Sequence, residues 1–290
     1  SGMSAIDLIF DLFTSGSRFL VSRDLYGGSF RYFAELEKSQ RAFFDTFSTV
    51  TELSEKLTDE VTAVFLETPT NPLMTVTDIA ETAKLAHDHG ALLIVDNTFL
   101  TPLRQLPLEE GADLVIHSGT KFLSGHNDIL AGVVIAKDAQ VGERLNYLAN
   151  TSGPTLSSFD TWLFIRSLKT LPLRFERQEA NAKEVGRFLR AHPAIKEVLY
   201  PNAGAMISIR VLDETKISGF LAALKVFTFA ESLGGVESLI TYPTTQTHAD
   251  IPQEVRESYG LTPDLLRISI GIESSKDLID DLENALKIFK

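Results

Sequence analysis

Residues 61–96 read VTAVFLETPTNPLMTVTDIAETAKLAHDHGALLIVD, and this stretch decides the fold. Its two ends, Val61–Glu67 and residues 91–96, are short apolar runs rich in β-branched residues, which is typical of buried parallel strands. Between them, residues 77–89 have helical spacing and stop at Gly90, a favourable residue just beyond a helix end. A strand, a crossover helix and a second strand predict an α/β fold built on a mostly parallel sheet.

Further strands are predicted outward from this unit, at residues 18–22, 113–117 and 132–136. After residue 171 the pattern changes to a polar helix at 176–191, which Pro193 stops. Four more strands and a last amphipathic helix follow, at residues 195–200, 205–212, 236–242, 265–272 and 276–289. We therefore predict a large sheet domain over residues 1–171 and a smaller C-terminal α+β domain over residues 172–290.

The composition excludes several classes of function. The 290 residues contain 27 Lys plus Arg against 39 Asp plus Glu, a formal net charge of -12, which disfavours nucleic acid and anionic membranes as partners. The absence of cysteine excludes disulfides, thiolate metal sites and a catalytic thiol. The histidines His117, His126 and His248 match no metal-ligand spacing, so we expect no metal. No apolar run approaches the roughly 18–20 residues of a membrane span, and we expect a cytoplasmic protein.

Four polar clusters follow predicted strands, at residues 24–28, 67–72, 96–99 and 117–122. In parallel sheets, functional groups collect at the carboxyl ends of the strands. We therefore expect one crevice to contain Tyr26, Asn71, Asp96 and Lys121. The prolines on either side of Thr70-Asn71 make the turn that carries the asparagine rigid.

Pyridoxal phosphate (PLP) chemistry requires this inventory of side chains. A lysine forms an imine with the cofactor, and a carboxylate keeps its pyridine nitrogen protonated. Hydroxyls and the N–H groups of a helix N-terminus hold the phosphate, and an aromatic ring stacks on the cofactor. Taken alone, Lys121 equally fits a surface lysine, but Asp96 and Asn71 in the neighbouring clusters favour the imine lysine.

The chain resembles the Cys/Met-metabolism family of PLP enzymes over essentially its whole length. The resemblance rests on five motifs in the family's order: ETPTNP (67–72), VDNTF (95–99), HSGTKFLSGH (117–126), AESLGGVESL (230–239) and LLRISIGIE (265–273). It implies PLP as cofactor and PLP fold type I, the aspartate-aminotransferase-like fold.

The resemblance also implies roles at the cofactor. Lys121 would form the imine and shuttle protons, and Asp96 would pair with the pyridinium. Asn71 would bond the ring hydroxyl, while Tyr26 would stack on the ring and protonate the leaving group. The phosphate would be bound by Ser118, Thr120 and the backbone of Gly2 and Met3, although Ser1-Gly2 is also consistent with a tag remnant ahead of a start methionine.

A small amino-acid substrate would be held by Arg267, Ser232 and Glu231, with Arg267 gripping its carboxylate in a bidentate pair. The resemblance further implies a homotetramer of dimers that share active sites. In that family a segment preceding Ser1-Gly2-Met3 carries a Tyr and an Arg to the neighbouring subunit's phosphate site. It lies outside residues 1–290, so we expect this chain alone to hold an incomplete cofactor site.

The choice of reaction depends mainly on Glu231. In the resembling enzymes, a glutamate before Ser-Leu-Gly-Gly meets the distal ammonium of a long substrate. Together with Gly28, it disfavours γ-elimination from methionine. We predict transsulfuration by γ-replacement of O-acylhomoserine with cysteine, and β- or γ-elimination of cystathionine is the alternative. A non-catalytic PLP-binding homologue and a PLP-free imine-forming aldolase are alternatives of other classes; Asp96 disfavours the aldolase, which has no pyridinium to pair.

Overall fold

The computed structural model describes residues 1–249 and 251–289. Its first sheet has six strands in the order β2-β1-β3-β4-β5-β6. They are β1 (Ser17–Ser22), β2 (Ala42–Phe47), β3 (Val61–Glu67), β4 (Leu92–Asp96), β5 (Leu114–Ser118) and β6 (Gly132–Ala136). Neighbouring strands are parallel, apart from β6, which pairs with β5 antiparallel. The mostly parallel sheet predicted from the sequence is confirmed.

Helices connect and cover these strands. They are α1 (Gly2–Phe10), α2 (Gly27–Lys38), α3 (Val50–Lys56), α4 (Ile79–Asp88), α5 (Thr101–Arg104), α6 (Ala139–Ser152) and α7 (Ser158–Leu168). The helix α1 begins at an N-cap, where the Ser1 hydroxyl accepts a hydrogen bond from the Ser4 N–H. Its apolar face, which includes Ile6, Ile9 and Phe10, is buried against the sheet. This packing fixes the direction in which the N-terminus of α1 points.

The second sheet has five strands in the order β7-β8-β11-β10-β9. They are β7 (Ile195–Leu199), β8 (Met206–Val211), β9 (Thr228–Phe229), β10 (Leu239–Thr241) and β11 (Leu265–Ser269). The helices of this part are α8 (Leu171–Ala191), α9 (Ile217–Ala223), α10 (Gln253–Ser258) and α11 (Ser275–Leu286), with 3-10 turns at Glu214–Lys216, Pro243–Thr245 and Lys287–Phe289. The domain boundary between residues 171 and 172 stays a prediction; Leu171 is the first residue of α8.

The buried face of α8 ties the two parts of the chain together. Phe175 on α8 is fully buried, and its ring packs edge to face on the ring of Phe122, with 5.2 Å between the ring centroids. Phe122 follows Lys121 directly, so the core of the second part reaches the predicted imine lysine. Across residues 1–249 and 251–289, no helix combines the length and apolar character needed to cross a membrane.

Candidate active site

A cavity of about 570 Å³ opens at the carboxyl ends of β3, β4 and β5. Every residue that the sequence placed at the cofactor or the substrate lines this cavity. They are Gly2, Met3, Tyr26, Asn71, Asp96, Ser118, Thr120, Lys121, Glu231, Ser232 and Arg267. The carboxyl edge of a parallel sheet is where ligands bind in open α/β folds, because loops diverge there. The structure therefore brings all the predicted site residues together.

Asp96 is the last residue of β4 and reaches the cavity half-buried. One oxygen, Oδ1, accepts hydrogen bonds from the Thr98 N–H at 2.9 Å and the Thr98 hydroxyl at 2.6 Å. Burial raises the pKa of the Asp96 carboxyl, and the two bonds from Thr98 oppose the rise. A buried carboxylate is costly in its charged form unless a cation pairs with it, and a protonated ring nitrogen is such a cation.

Lys121 lies in the turn after β5, and its Nζ is 3.4 Å from the Ser232 hydroxyl. Burial and, secondly, the nearby Arg267 charge lower the pKa of the Lys121 amine to about 8, while the Glu231 charge acts in the opposite direction. A larger share of this amine is therefore neutral near physiological pH than for an exposed lysine. The neutral amine is the form that attacks a carbonyl carbon and accepts a proton.

The N-terminus of α1 forms one wall of the cavity, beside Ser118 and Thr120. The N–H groups of a helix's first turn have no partner within the helix and carry partial positive charge. A Cβ atom on Gly2 would lie 2.9 Å from the Ser118 Cβ, so only glycine allows the helix to approach this closely. The two hydroxyls and the backbone of Gly2 and Met3 form a site suited to a phosphate group.

Tyr26 stands at the mouth of the cavity, with 39% of its surface exposed. Its backbone N–H donates to the Glu67 Oε2 at 3.0 Å, which fixes the turn before α2. A Cβ atom on Gly28 would lie 2.4 Å from the Tyr26 Cε1, so the tyrosine ring occupies the space that a side chain there would fill. From this position the tyrosine lines the cavity.

Arg267 on β11 is 1% exposed and joins the second sheet to the cavity. Its Nη1 donates to the Asn71 Oδ1 at 3.0 Å, and its Nη2 donates to the Glu231 carbonyl oxygen at 2.7 Å. The Nε is buried and has no hydrogen-bond partner among the described residues. Burial lowers the pKa of the guanidinium to about 10, so Arg267 stays charged at neutral pH. A buried donor without an acceptor is costly, so the Nε position favours an added hydrogen-bond acceptor.

Polar residues without a predicted role also line the cavity, among them Glu67, Thr98 and Asn127. Glu67 pairs in register with Asp96 across β3 and β4, and Asn127 Oδ1 accepts from the Ser232 hydroxyl at 3.1 Å. Thr98 follows Asp96 by two residues within the VDNTF motif, which is the sequence signal that points to it. Glu67 stands likewise in the ETPTNP motif.

PLP fits this set of groups. Asp96 would pair with the ring nitrogen, and Lys121 would bond to the aldehyde carbon. The N-terminus of α1 would bind the phosphate together with Ser118 and Thr120. When bound, PLP supplies an electron sink for a negative charge at the substrate's α-carbon. The fold and the cavity together define a PLP-dependent enzyme of fold type I.

Comparison with known proteins identifies the family. The model of the Cys/Met metabolism PLP-dependent enzymes matches residues 1–287, and the chain belongs to this family. The cystathionine gamma-synthase/O-acetylhomoserine (thiol)-lyase of Bacillus subtilis (strain 168) is 52% identical over 99% of this chain and 77% of its own. The cystathionine gamma-lyase of the same organism is 42% identical over 99% of this chain and 80% of its own.

A solved structure agrees with both sequence comparisons. The cystathionine gamma synthase of Xanthomonas oryzae pv. oryzae in complex with cystathionine has a TM-score of 0.97 and is 39% identical. The match covers 99% of this chain and 80% of that one. The aspartate-aminotransferase-like fold that the sequence predicts is confirmed, as are the family and the dependence on PLP.

Proposed function

We propose that this chain catalyses γ-replacement, in which cysteine displaces the acyl group of an O-acylhomoserine to give cystathionine. The Cγ–O bond breaks, a Cγ–S bond forms, and the thiol proton is released with the carboxylic acid. The observation that carries the proposal is 52% identity to a relative named for this synthase activity, across nearly the whole chain. A cavity that contains a lysine, a buried arginine and a glutamate supports it.

Each side chain has a task in this proposal. Arg267 Nε and the Ser232 hydroxyl bind the substrate carboxylate and orient Cα toward Lys121. Lys121 Nζ removes the Cα proton and returns it, because its lowered pKa leaves a useful fraction of neutral amine. The Tyr26 hydroxyl lies at the cavity mouth, where it moves a proton at the departing group.

Glu231 selects for a second amino group at the far end of the substrate or product. It lines the same cavity, and its charge acts on both Lys121 and Arg267, so it lies within reach of a substrate bound there. The amino group of cysteine, or the distal amino group of cystathionine, is a cation that this carboxylate would pair with. Methionine has no second amino group, so Glu231 favours the formation or cleavage of cystathionine over the cleavage of methionine.

A second candidate is C–S elimination from cystathionine, supported by the relative named as a gamma-lyase at 42% identity. β-Elimination would give homocysteine, pyruvate and ammonia with uptake of water. γ-Elimination would give cysteine, 2-oxobutyrate and ammonia with uptake of water. Both start with the same proton transfer by Lys121, so the cavity alone does not separate them from γ-replacement.

The test mixes the PLP-loaded protein with cystathionine alone and identifies any keto acid. We expect little keto acid, followed by cystathionine formation once O-acylhomoserine and cysteine are supplied. Rapid release of pyruvate or 2-oxobutyrate would instead identify a β-lyase or a γ-lyase. If both assays are silent while the visible absorbance of the loaded protein is intact, the proposed substrate class is wrong.

Two substitutions make this assay specific. Lys121→Ala should abolish turnover and the visible absorbance together. Glu231→Gln should raise KM for cysteine by about tenfold while the visible absorbance persists, because an amide cannot form the ion pair. An unchanged KM in Glu231→Gln would remove Glu231 from the substrate site.

We further propose a homotetramer in the cytoplasm. Large apolar side chains are exposed along α7, where Phe159, Trp162 and Ile165 are each more than half exposed. Exposed apolar area of this kind marks an interface between chains. Light scattering should give four chains per particle, and Trp162→Glu should give smaller particles.

A further inference from the structure

Three buried polar side chains form a row along α8: Arg174, Gln178 and Asn181. Residues four and three positions apart lie on one face of a helix, so the row faces one way. Each side chain donates to backbone carbonyls in loops that are distant along the chain. The row therefore fixes loop positions.

Arg174 holds the loop that follows the lysine. Its Nη1 donates to the Phe122 carbonyl at 2.9 Å, and its Nη2 donates to the Leu123 carbonyl at 3.3 Å. The guanidinium also packs against Gly125, whose φ is +68°; a Cβ atom there would lie 1.9 Å from Nη1. Gly125 thus has to be glycine both for its backbone conformation and for the approach of the arginine.

Gln178, one turn further along α8, holds the loop that carries Ser232. Its Nε2 donates to the Gly235 carbonyl at 2.7 Å. The other end of the amide, Oε1, is buried and has no partner among residues 1–249 and 251–289. An unsatisfied buried amide oxygen costs stability, and an apolar side chain of similar length would avoid that cost. The bond to Gly235 is the reason the structure offers for a glutamine at this position.

The two loops that α8 holds are packed directly on each other. A Cβ atom on Gly234 would lie 2.6 Å from the Phe122 backbone nitrogen. The Val236 N–H donates to the Gly125 carbonyl at 2.9 Å. Lys121 begins one loop and Ser232 stands in the other, and the Lys121 Nζ lies 3.4 Å from the Ser232 hydroxyl.

We propose that Arg174 and Gln178 are positioning residues that set where Lys121 and Ser232 stand relative to each other. Neither side chain lines the cavity within the part of the chain that the structure describes. Arg174 acts on the lysine side and Gln178 on the substrate-carboxylate side, so their loss should affect different kinetic constants. This inference rests on the proposed tasks of Lys121 and Ser232.

The experiment uses the PLP-loaded protein and two variants, Gln178→Met and Arg174→Lys. We expect Gln178→Met to raise KM for the amino-acid substrate about tenfold, with little change in kcat or visible absorbance, because a small displacement at Ser232 weakens substrate binding. We expect Arg174→Lys to lower kcat about tenfold and to move the pH midpoint of the visible absorbance, because one ammonium cannot hold two carbonyls as a guanidinium does.

The matched control is Glu184→Gln, which changes an exposed side chain of the same helix. It should leave KM, kcat and the absorbance midpoint unchanged. If both α8 variants lower only the thermal midpoint while folded molecules keep wild-type constants, the two residues are merely structural and the inference is wrong. If the wild-type protein shows no visible absorbance or turnover with any substrate tested, the proposed function fails instead.

Discussion

Glu67 and Asp96 end two paired parallel strands side by side, so two carboxyl groups share one wall of the cavity. Burial and, secondly, the Asp96 charge raise the pKa of Glu67 well above its ordinary value, and the Asp24 charge adds to the rise. Arg267 is a cation that interacts with Glu67, since the Glu67 charge acts to raise the pKa of the guanidinium. Two carboxylates this close do not both ionise readily. We infer that Glu67 is the neutral partner when Asp96 pairs with a protonated ring nitrogen.

This pair predicts a pH-dependent gain in stability for Glu67→Gln. The folded-state pKa of Glu67 lies above its unfolded value of about 4.3. Its contribution to stability is therefore fully present below that unfolded value and is lost as pH rises through the folded pKa. We expect Glu67→Gln to raise the thermal midpoint of the cofactor-free protein by roughly 3 °C at about pH 8, with no gain at about pH 4.

The glutamine keeps an oxygen that accepts from the Tyr26 N–H, so the turn before α2 should stay intact. The control is Glu184→Gln, which removes an exposed carboxyl and should be neutral at both pH values. A lower midpoint for Glu67→Gln at the higher pH would mean that Glu67 is ionised in the native protein.

The amine of Lys121 predicts the pH dependence of cofactor attachment. Its pKa is lowered to about 8, so the rate at which visible absorbance appears after adding PLP should rise with pH and level off above about 8. Because the Glu231 charge raises this pKa, Glu231→Gln should move the midpoint to lower pH. Rapid-mixing absorbance measures both. A wild-type midpoint near the value of an exposed lysine, about 10.4, would contradict the buried position of the amine.

Gly28→Ala should disturb cofactor binding without unfolding the protein. The new Cβ would lie 2.4 Å from the Tyr26 Cε1, and the partly exposed ring is free to swing away. We expect affinity for PLP, measured by absorbance titration, to fall about tenfold through the lost stacking. Gly142→Ala in α6 is the matched control, since among the described residues its Cβ would meet only the Ala136 Cβ, at 3.9 Å. Equal affinities in the two variants would show that Tyr26 does not stack on the cofactor.

Arg267→Lys should affect both substrate binding and stability. A lysine keeps the charge but cannot donate at once to Asn71 and to the Glu231 carbonyl as Arg267 does. We expect KM for the amino acid to rise about 100-fold and stability to fall by about 3 kcal/mol, since buried acceptors lose their donors. Steady-state kinetics and denaturant unfolding measure the two effects. Retention of wild-type KM would place the carboxylate site elsewhere.

The sequence predicts most of this site because its residues stand in local motifs at strand ends. Asp96 and Lys121 could be placed without coordinates, since apolar strands identify the sheet edge that carries them. The strand Ala42–Phe47 was missed because it is an edge strand, paired on one side only, and four of its six residues are partly or fully exposed. The polar pair Asp45-Thr46 also interrupts its apolar run. An edge strand has a weaker pattern than one buried on both faces.

The role of Glu67 could not be predicted for a different reason. Its proximity to Asp96 depends on the register between β3 and β4, which no single sequence segment specifies. Arg267 shows the same limit. The sequence predicts a guanidinium free for a bidentate grip, whereas the structure commits Nη1 and Nη2 to protein acceptors and leaves Nε without a partner among the described residues. The bidentate pair stays a prediction.

The bond between Arg267 and Asn71 joins residues 196 positions apart. During synthesis the first sheet is complete long before β11 leaves the ribosome, so the first sheet is able to fold as a unit ahead of the second. The strands at the cofactor end of the cavity are synthesised early. The substrate-carboxylate end is complete only after β11 packs into the second sheet. We therefore expect the residues of the cofactor end to be in place before those that bind the substrate carboxylate.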